Sequence, residues 1–380
     1  MRKIIGTSGT SVNQHSRGAF QSISGTPALA TGQIEPDQGK PSEVLALRAL
    51  SRHNAACMST DRAARSTHAQ FQSFHLVRKL LIHLSESKRL APLIMNSGVS
   101  RRVAGRFVAG QTLEHGVEAA RAVNRAGQSA SLDLLGENVD DEPSARRSAQ
   151  NYLEIFDRIA QEQLDANVSL KLTQLGLDLG VSVCEELLDT IVSHAAHHAN
   201  FVRVDMEGSP YTERTLEIVK RVRARHDNIG TVVQAYLYRT EQDVRDLLAI
   251  GCRLRLCKGA YNEPAEIAFA KKSDVDANYV KLMKLLLLSG IYHGIATHDP
   301  AMIWATKDFA RQNRIDHGHF EFQMLYGIRT DLQRQLVREG YRLRIYIPYG
   351  ADWFPYFMRR LAERPANLTF FLRTFLPTRR

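Results

Sequence analysis

Four side chains near the C-terminus have the spacing of a binding face. Read as a helix, Tyr356, Arg359, Arg360 and Glu363 fall at i, i+3, i+4 and i+7, which puts all four on one side. Their neighbourhood is apolar and aromatic, with Trp353, Phe354, Phe357, Phe370 and Phe371. Two guanidiniums on a face that should be core are costly unless an anion meets them. An arginine fork matches a carboxylate bidentately, and Glu363, one turn on, can hold one fork in place. The chemistry implied is a clamp for a small carboxylate. An isolated arginine pair is more often a solvated basic face, so the reading rests on the company this helix keeps.

That company is a series of short β-rich runs after Gly127, at 130–135, 168–172, 201–206, 231–237, 252–257, 291–297, 318–324 and 343–347. Helical stretches separate them, for example 186–198, 213–225, 241–250, 277–289 and 331–339. Eight strands, each followed by a helix, match a (βα)8 TIM-type barrel in number and size. A doubly wound sheet is the alternative, but Asp133-Leu134-Leu135-Gly136-Glu137 after the first strand is not a dinucleotide fingerprint. Polar residues late in barrel strands point to the active-site mouth. The second run ends on Lys171, the third on Asp205-Met206-Glu207 and the fourth offers Gln234. The fifth offers Arg255 and then Lys258-Gly259-Ala260-Tyr261, and the sixth Thr297-His298-Asp299. The seventh has Glu321 and Gln323, the eighth Tyr346. One buried polar residue only satisfies another; one on nearly every strand implies a site.

Other features take plainer readings. His194, His197 and His198 have helical metal-ligand spacing, but no carboxylate lies nearby in sequence, and histidines favour helix C-termini; the expectation is no metal. The four cysteines have no zinc-like spacing and suggest a reducing compartment. No run of about 18 apolar residues suggests a membrane span.

The net charge of +10 is uneven: residues 1–110 hold 15 Lys+Arg against 5 Asp+Glu, and the rest are balanced at 35 against 35. A basic arm can meet nucleic acid or anionic lipid. Residues 1–45 are rich in small polar residues without a period, and residues 1–70 read as a disordered, low-complexity basic extension. Residues 71–126 read as N-terminal helices, the last of them capped by Thr112, and residues 127–380 as the barrel domain.

Taken together, these stretches resemble the proline dehydrogenase family, especially its monofunctional bacterial branch. The resemblance is carried by Ser169-Leu170-Lys171, Val204-Asp205-Met206-Glu207, Val233-Gln234-Ala235-Tyr236 and Arg255-Leu256-Cys257-Lys258-Gly259-Ala260. It continues through Ala296-Thr297-His298-Asp299, Phe320-Glu321-Phe322-Gln323, Arg344-Ile345-Tyr346 and Tyr356-Phe357-Met358-Arg359-Arg360. It implies a distorted (βα)8 barrel, FAD, and oxidation of L-proline to Δ1-pyrroline-5-carboxylate by hydride transfer to flavin N5. By the same resemblance Asp205 and Arg255 are the catalytic pair, and Lys171, Arg359 and Arg360 bind the substrate carboxylate. Leu256 and Leu325 wall the ring, Tyr346 packs over it, and Tyr356 and Glu363 support the clamp. Met206, Gln234, Arg255, Lys258, Gly259, Ala260, Thr297 and His298 are the flavin contacts. The implied partners are a quinone acceptor, met by peripheral membrane contact, and a separate pyrroline-5-carboxylate dehydrogenase, with no specific nucleic acid. The implied location is the cytoplasm, peripheral on the inner membrane, or the mitochondrial matrix in a eukaryote. Alternatives are a dehydrogenase of hydroxyproline or another cyclic amino acid, and a basic nucleic-acid- or membrane-binding protein with an inactive barrel.

Because residues 1–70 lack a packable period, deleting them is expected to leave folding and flavin content intact. Precipitation or flavin loss in the truncated protein would move the domain boundary toward the N-terminus.

Overall fold

The computed structural model describes residues 104–363, with side chains described through Arg360. All of them belong to the second of the chain's two units, His68–Arg380. The expected extension over residues 1–70, and the helices expected before residue 104, lie outside the described residues.

Helix α1 (Leu113–Arg125) precedes a barrel of β1 (Ser129–Leu134), α2 (Glu142–Gln161), β2 (Ala166–Leu170), α3 (Val181–His197), β3 (Val202–Val204) and α4 (Ser209–Arg223). It continues through β4 (Ile229–Gln234), α5 (Thr240–Ala249), β5 (Arg253–Cys257), α6 (Lys272–Leu288), β6 (His293–Ala296) and α7 (Pro300–Gln312). It closes with β7 (Phe320–Leu325), α8 (Thr330–Arg338), β8 (Leu343–Tyr349) and α9 (Trp353–Glu363). The eight strands pair in sequence order, and β1 pairs parallel with both β2 and β8 to close the ring. Each of the eight strands expected from the sequence is present, with ends shifted by a few residues. Thr112 stands at the N-cap of α1, but its side chain makes no cap; its Oγ1 lies 3.1 Å from His115 Nδ1 instead.

Local sequence accounts for the elements. Helix α2 starts at Asp141, whose carboxylate accepts the Ser144 N–H at 2.7 Å, with Pro143 in the first turn. Its buried residues, Ala145, Ala149, Tyr152, Ile155, Phe156 and Ile159, recur every three or four positions and cover the strands. Strand β2 is buried along its whole length, as expected for a parallel strand with barrel interior on one face and helices on the other.

The interior face is polar. The pairing register brings Ser169 beside Arg203, Arg203 beside Gly230, Arg255 beside Gly294, and Gln323 beside Arg344. Long polar side chains fill the axis because glycines stand next to them. A Cβ at Gly294 would lie 2.3 Å from Gln323 Nε2, and one at Gly230 would lie 2.2 Å from the Arg253 carbonyl oxygen and 2.8 Å from Arg203 Nη1. Arg203 Nη1 in turn donates to the Thr231 carbonyl at 3.0 Å.

Gly230→Ala is therefore expected to strain the β4–β5 pairing and to destabilise the protein by about 1–3 kcal/mol. A denaturant midpoint equal to that of the unchanged protein would show that the barrel wall yields more easily than this packing implies.

Candidate active site

A cavity of about 510 Å³ opens at the C-terminal end of the strands. Six cationic side chains line it, Lys171, Arg255, Lys258, Lys272, Arg359 and Arg360, against two carboxylates, Asp205 and Asp299. That imbalance suits an anionic ligand.

Arg255, pointing inward from β5, is the centre of the floor. Its Nη1 donates to Asp205 Oδ1 at 2.7 Å, its Nη2 to Ser169 Oγ at 3.0 Å, and its Nε to Gln323 Oε1. The other oxygen of Asp205 accepts the Tyr346 hydroxyl at 2.7 Å, and the Arg255 guanidinium also lies over the Tyr346 ring, 5.2 Å from its centroid. The Asp205 carboxylate is thus fixed between a guanidinium and a phenol. Beneath it, Gln323 donates to Glu321, and Glu321 accepts from Arg344 Nε at 2.8 Å and from the Tyr292 hydroxyl at 3.0 Å. Glu321, expected at the mouth, therefore lies deeper and props the floor. Burial pushes its carboxyl up, but the Arg344 charge and three hydrogen bonds outweigh burial and hold it below the usual range.

The cations of the rim are held charged. Lys171 lies just past β2, with its Nζ 3.3 Å from Asp133 Oδ1, both side chains buried. Burial favours the neutral amine there, yet Asp133 and Glu137 outweigh it and raise the Lys171 pKa. Asp133 is itself pushed above the carboxylate range by burial, and its Oδ2 has no hydrogen-bond partner. Arg359, on α9, forms a two-pronged pair with Glu137, at 3.1 and 3.3 Å. Glu137 is partly buried, but Arg359 and then Lys171 keep its pKa low. The fork expected to rest on Glu363 rests on Glu137, 222 residues away in sequence; the Glu363 side chain lies outside the described residues. Arg360 and Tyr356 join the cavity as the helical spacing implied, with the guanidinium 5.1 Å from the ring centroid. Because α9 lends these residues to the mouth rather than only covering strands, the barrel departs from the regular pattern.

The residues expected to hold a flavin come from the opposite arc, after β3 to β6. Met206, Gln234, Lys258, Gly259, Ala260, Thr297 and His298 all line the cavity. Gln234 Nε2 donates to the Glu207 carbonyl at 3.0 Å, and the Leu325 N–H donates to His298 Nε2 at 2.9 Å, which fixes that ring. Gly259 has φ +120°, and a Cβ there would lie 2.4 Å from the Tyr236 ring, so only glycine fits. Lys258 Nζ pairs with Asp276 and, at 2.7 Å, with Asp299.

Leu325 lines the cavity, but Leu256 does not. Side chains alternate along a strand, so with Arg255 inside, Leu256 points outward and is fully buried in the main core. Missed by the sequence reading were Glu137, Asp133 and Cys257, while Tyr261, which it placed at the mouth, does line the cavity. Cys257 remains a thiol, pushed up to about 12 by burial. Strand parity could have flagged Asp133 and Cys257; nothing in sequence pairs Glu137 with Arg359. His194 and His198 lie outside this cavity, on α3 and at its C-terminus.

A closed eight-stranded barrel with a cationic cavity at its strand C-terminal mouth defines a barrel enzyme whose small substrate carries a carboxylate or similar anionic group. The chain belongs to the proline dehydrogenase family, whose model matches residues 117–373, and it is an oxidoreductase of proline catabolism. It is 44% identical to proline dehydrogenase 1 of Bacillus subtilis subsp. natto, over 79% of this chain and 99% of that one. It is 38% identical to the proline dehydrogenase of Deinococcus radiodurans, over 79% and 98%. By contrast it spans only 24% of the bifunctional protein PutA of Escherichia coli, at 28% identity. In fold it is similar to the crystal structure of proline utilization A from Bdellovibrio bacteriovorus. That match has a TM-score of 0.67 at 24% identity, over 74% of this chain and 34% of that one.

Glu321→Gln is expected to cost about 3–5 kcal/mol near neutral pH, because it leaves the largely buried Arg344 charge beside a neutral amide. A carboxyl whose folded pKa is depressed stabilises the fold above its unfolded pKa and stops doing so as the pH falls through the folded one. The gap between variant and unchanged protein should thus be full above the ordinary value of 4.5 and shrink below it. A gap that stayed constant in acid would show that Glu321 is not ionised.

Proposed function

We propose that this enzyme oxidises L-proline to Δ1-pyrroline-5-carboxylate with FAD as cofactor. The observation that carries the reading is the division of the mouth. Lys171, Arg359 and Arg360 belong to the arc of β8, β1 and β2, while Gln234, Lys258, Gly259, Ala260, Thr297 and His298 belong to the arc of β4 to β6. Arg255 and Asp205 lie on the floor between them.

The residues present fit a flavin. The glycine at 259 lets backbone come close, and a run of main chain and amide groups on three adjacent strands suits the hydrogen-bonding edge of a flat ring system. The cationic excess suits its diphosphate. A bound FAD would supply the acceptor for a hydride from the substrate. The chain's own residues do the rest. Lys171, Arg359 and Arg360 hold the proline carboxylate by charge-assisted hydrogen bonds and so orient the ring. Glu137 keeps the Arg359 fork aimed. Leu325 and Met324 offer the ring an apolar wall. Tyr346 covers it, pinned by Asp205, and its bulk favours proline over hydroxyproline. The fixed positive charge of Arg255 favours electron density gained beside it. The product leaves for a separate dehydrogenase, and the electrons pass to a quinone at a membrane surface, with the enzyme itself in the cytoplasm.

Purified protein should be yellow and should bleach with proline; colourless protein that gains no activity with added FAD overturns the reading. In Arg359→Met and Arg360→Met the flavin should stay bound while the proline KM rises, by an amount corresponding to about 2–5 kcal/mol. Pyrrolidine, which lacks the carboxylate, should be a poor substrate that loses almost nothing further in these variants. Equal losses on both substrates would show that the arginines do not read the carboxylate.

A further inference from the structure

A second constellation lies on the shell of helices. His194 and His198 stand one turn apart at the end of α3, and Asp157 stands on α2 beside it. Both imidazole Nε2 atoms share a single carboxylate oxygen, Asp157 Oδ1, at 2.7 Å from His194 and 2.8 Å from His198. The two rings meet edge to face, with centroids 5.1 Å apart. One donor atom from each of the three residues lies within 4.8 Å of the others. The sequence reading set the histidines aside for want of a nearby carboxylate; the fold supplies one from 37 residues away.

The geometry points to a binding site for one divalent ion of the zinc type, ligated by His194 Nε2, His198 Nε2 and Asp157 Oδ1, that clips α2 to α3. Zinc takes imidazole nitrogen and carboxylate oxygen at about 2.0–2.2 Å in a tetrahedron, so its ligand atoms stand about 3.3 Å apart. Each nitrogen needs to move by roughly half an ångström from the Asp157 oxygen that it now bonds. Asp157 is exposed and the histidines half-buried, so the side chains can move that far and water can fill the fourth position. On binding, each ring gives up to solvent the Nε2 proton that it donates to Asp157, carries a proton on Nδ1 instead, and turns the freed Nε2 lone pair to the ion. Two imidazoles disfavour magnesium and calcium, which prefer all-oxygen shells. Among the described residues no carboxylate or carbonyl bonds the other nitrogen of either ring, which makes this an exchangeable site rather than a permanently filled one. Helices that return between parallel strands end beside the strand N-termini. The ion therefore sits at the end of the barrel opposite the cavity, where it acts on stability and not on the reaction.

The test uses untagged full-length protein, freed of metal with a chelator and titrated with Zn2+ by calorimetry, with Co2+ absorbance as a second reading. Uptake at this site should raise the thermal midpoint, because the ion binds the folded state. His198→Gln and Asp157→Asn should each weaken Zn2+ binding about tenfold or more and abolish the thermal shift. His197→Gln should change neither, since its ring lies 6.5 Å from that of His194 and offers no ligand to the set. Unchanged circular dichroism and flavin content in the variants would tie the loss to the ligands. The inference is overturned if the metal-free protein takes up no Zn2+, or if His198→Gln and Asp157→Asn match the unchanged protein in both affinity and thermal shift.

Discussion

A guanidinium in the axis of the barrel governs much of this structure. A buried guanidinium left without partners is costly, so placing that of Arg255 here obliges the surrounding strands to supply acceptors. They do so from several directions: Asp205 past β3, Ser169 on β2 and Gln323 on β7. Gln323 can reach only because Gly294 leaves room, and it is held from below by Glu321, which is neutralised by Arg344. The floor of the cavity is thus one connected polar network. An apolar barrel interior would be easier to stabilise; this one gives up packing for a rigid, charged floor.

The rim follows the same logic with looser ties. Lys171 and Arg359 each have a protein carboxylate, Asp133 and Glu137, which keeps them cationic despite burial. A cation so held is both charged and aimed, and an incoming carboxylate meets groups that need little reorganisation. Arg360 and Tyr356 share this rim because α9 reaches over the mouth instead of lying only against the strands. The membership of the proline dehydrogenase family and this arrangement agree: a small zwitterion with an apolar ring needs cations on one side and plain walls elsewhere.

Much of this was legible in the chain itself. Eight apolar runs separated by helical periods matched a barrel in number and size, and the missing dinucleotide fingerprint told against the doubly wound alternative. The polar residues late in those runs, Lys171, Asp205, Gln234, Arg255, Thr297 and Tyr346, named the mouth, since the mouth is where strands of such a fold end. The spacing of Tyr356, Arg359 and Arg360 fixed their common face by helix geometry alone. Strand alternation also held information left unused: with Arg255 inside, Leu256 had to face outward.

What only the tertiary structure decided were the partnerships across long stretches of chain. Ring closure sets β1 between β8 and β2, and so carries Glu137 to Arg359 and Asp133 to Lys171, where local spacing had suggested Glu363. The depth of a residue along the axis was equally hidden, and Glu321 proved to be a prop and not a mouth residue. The same is true of Asp157 beside His194 and His198, brought together by the packing of α2 on α3. Periodicity reports which way a side chain points within its own element; which charge it meets depends on how distant elements are arranged, and that is a property of the folded chain.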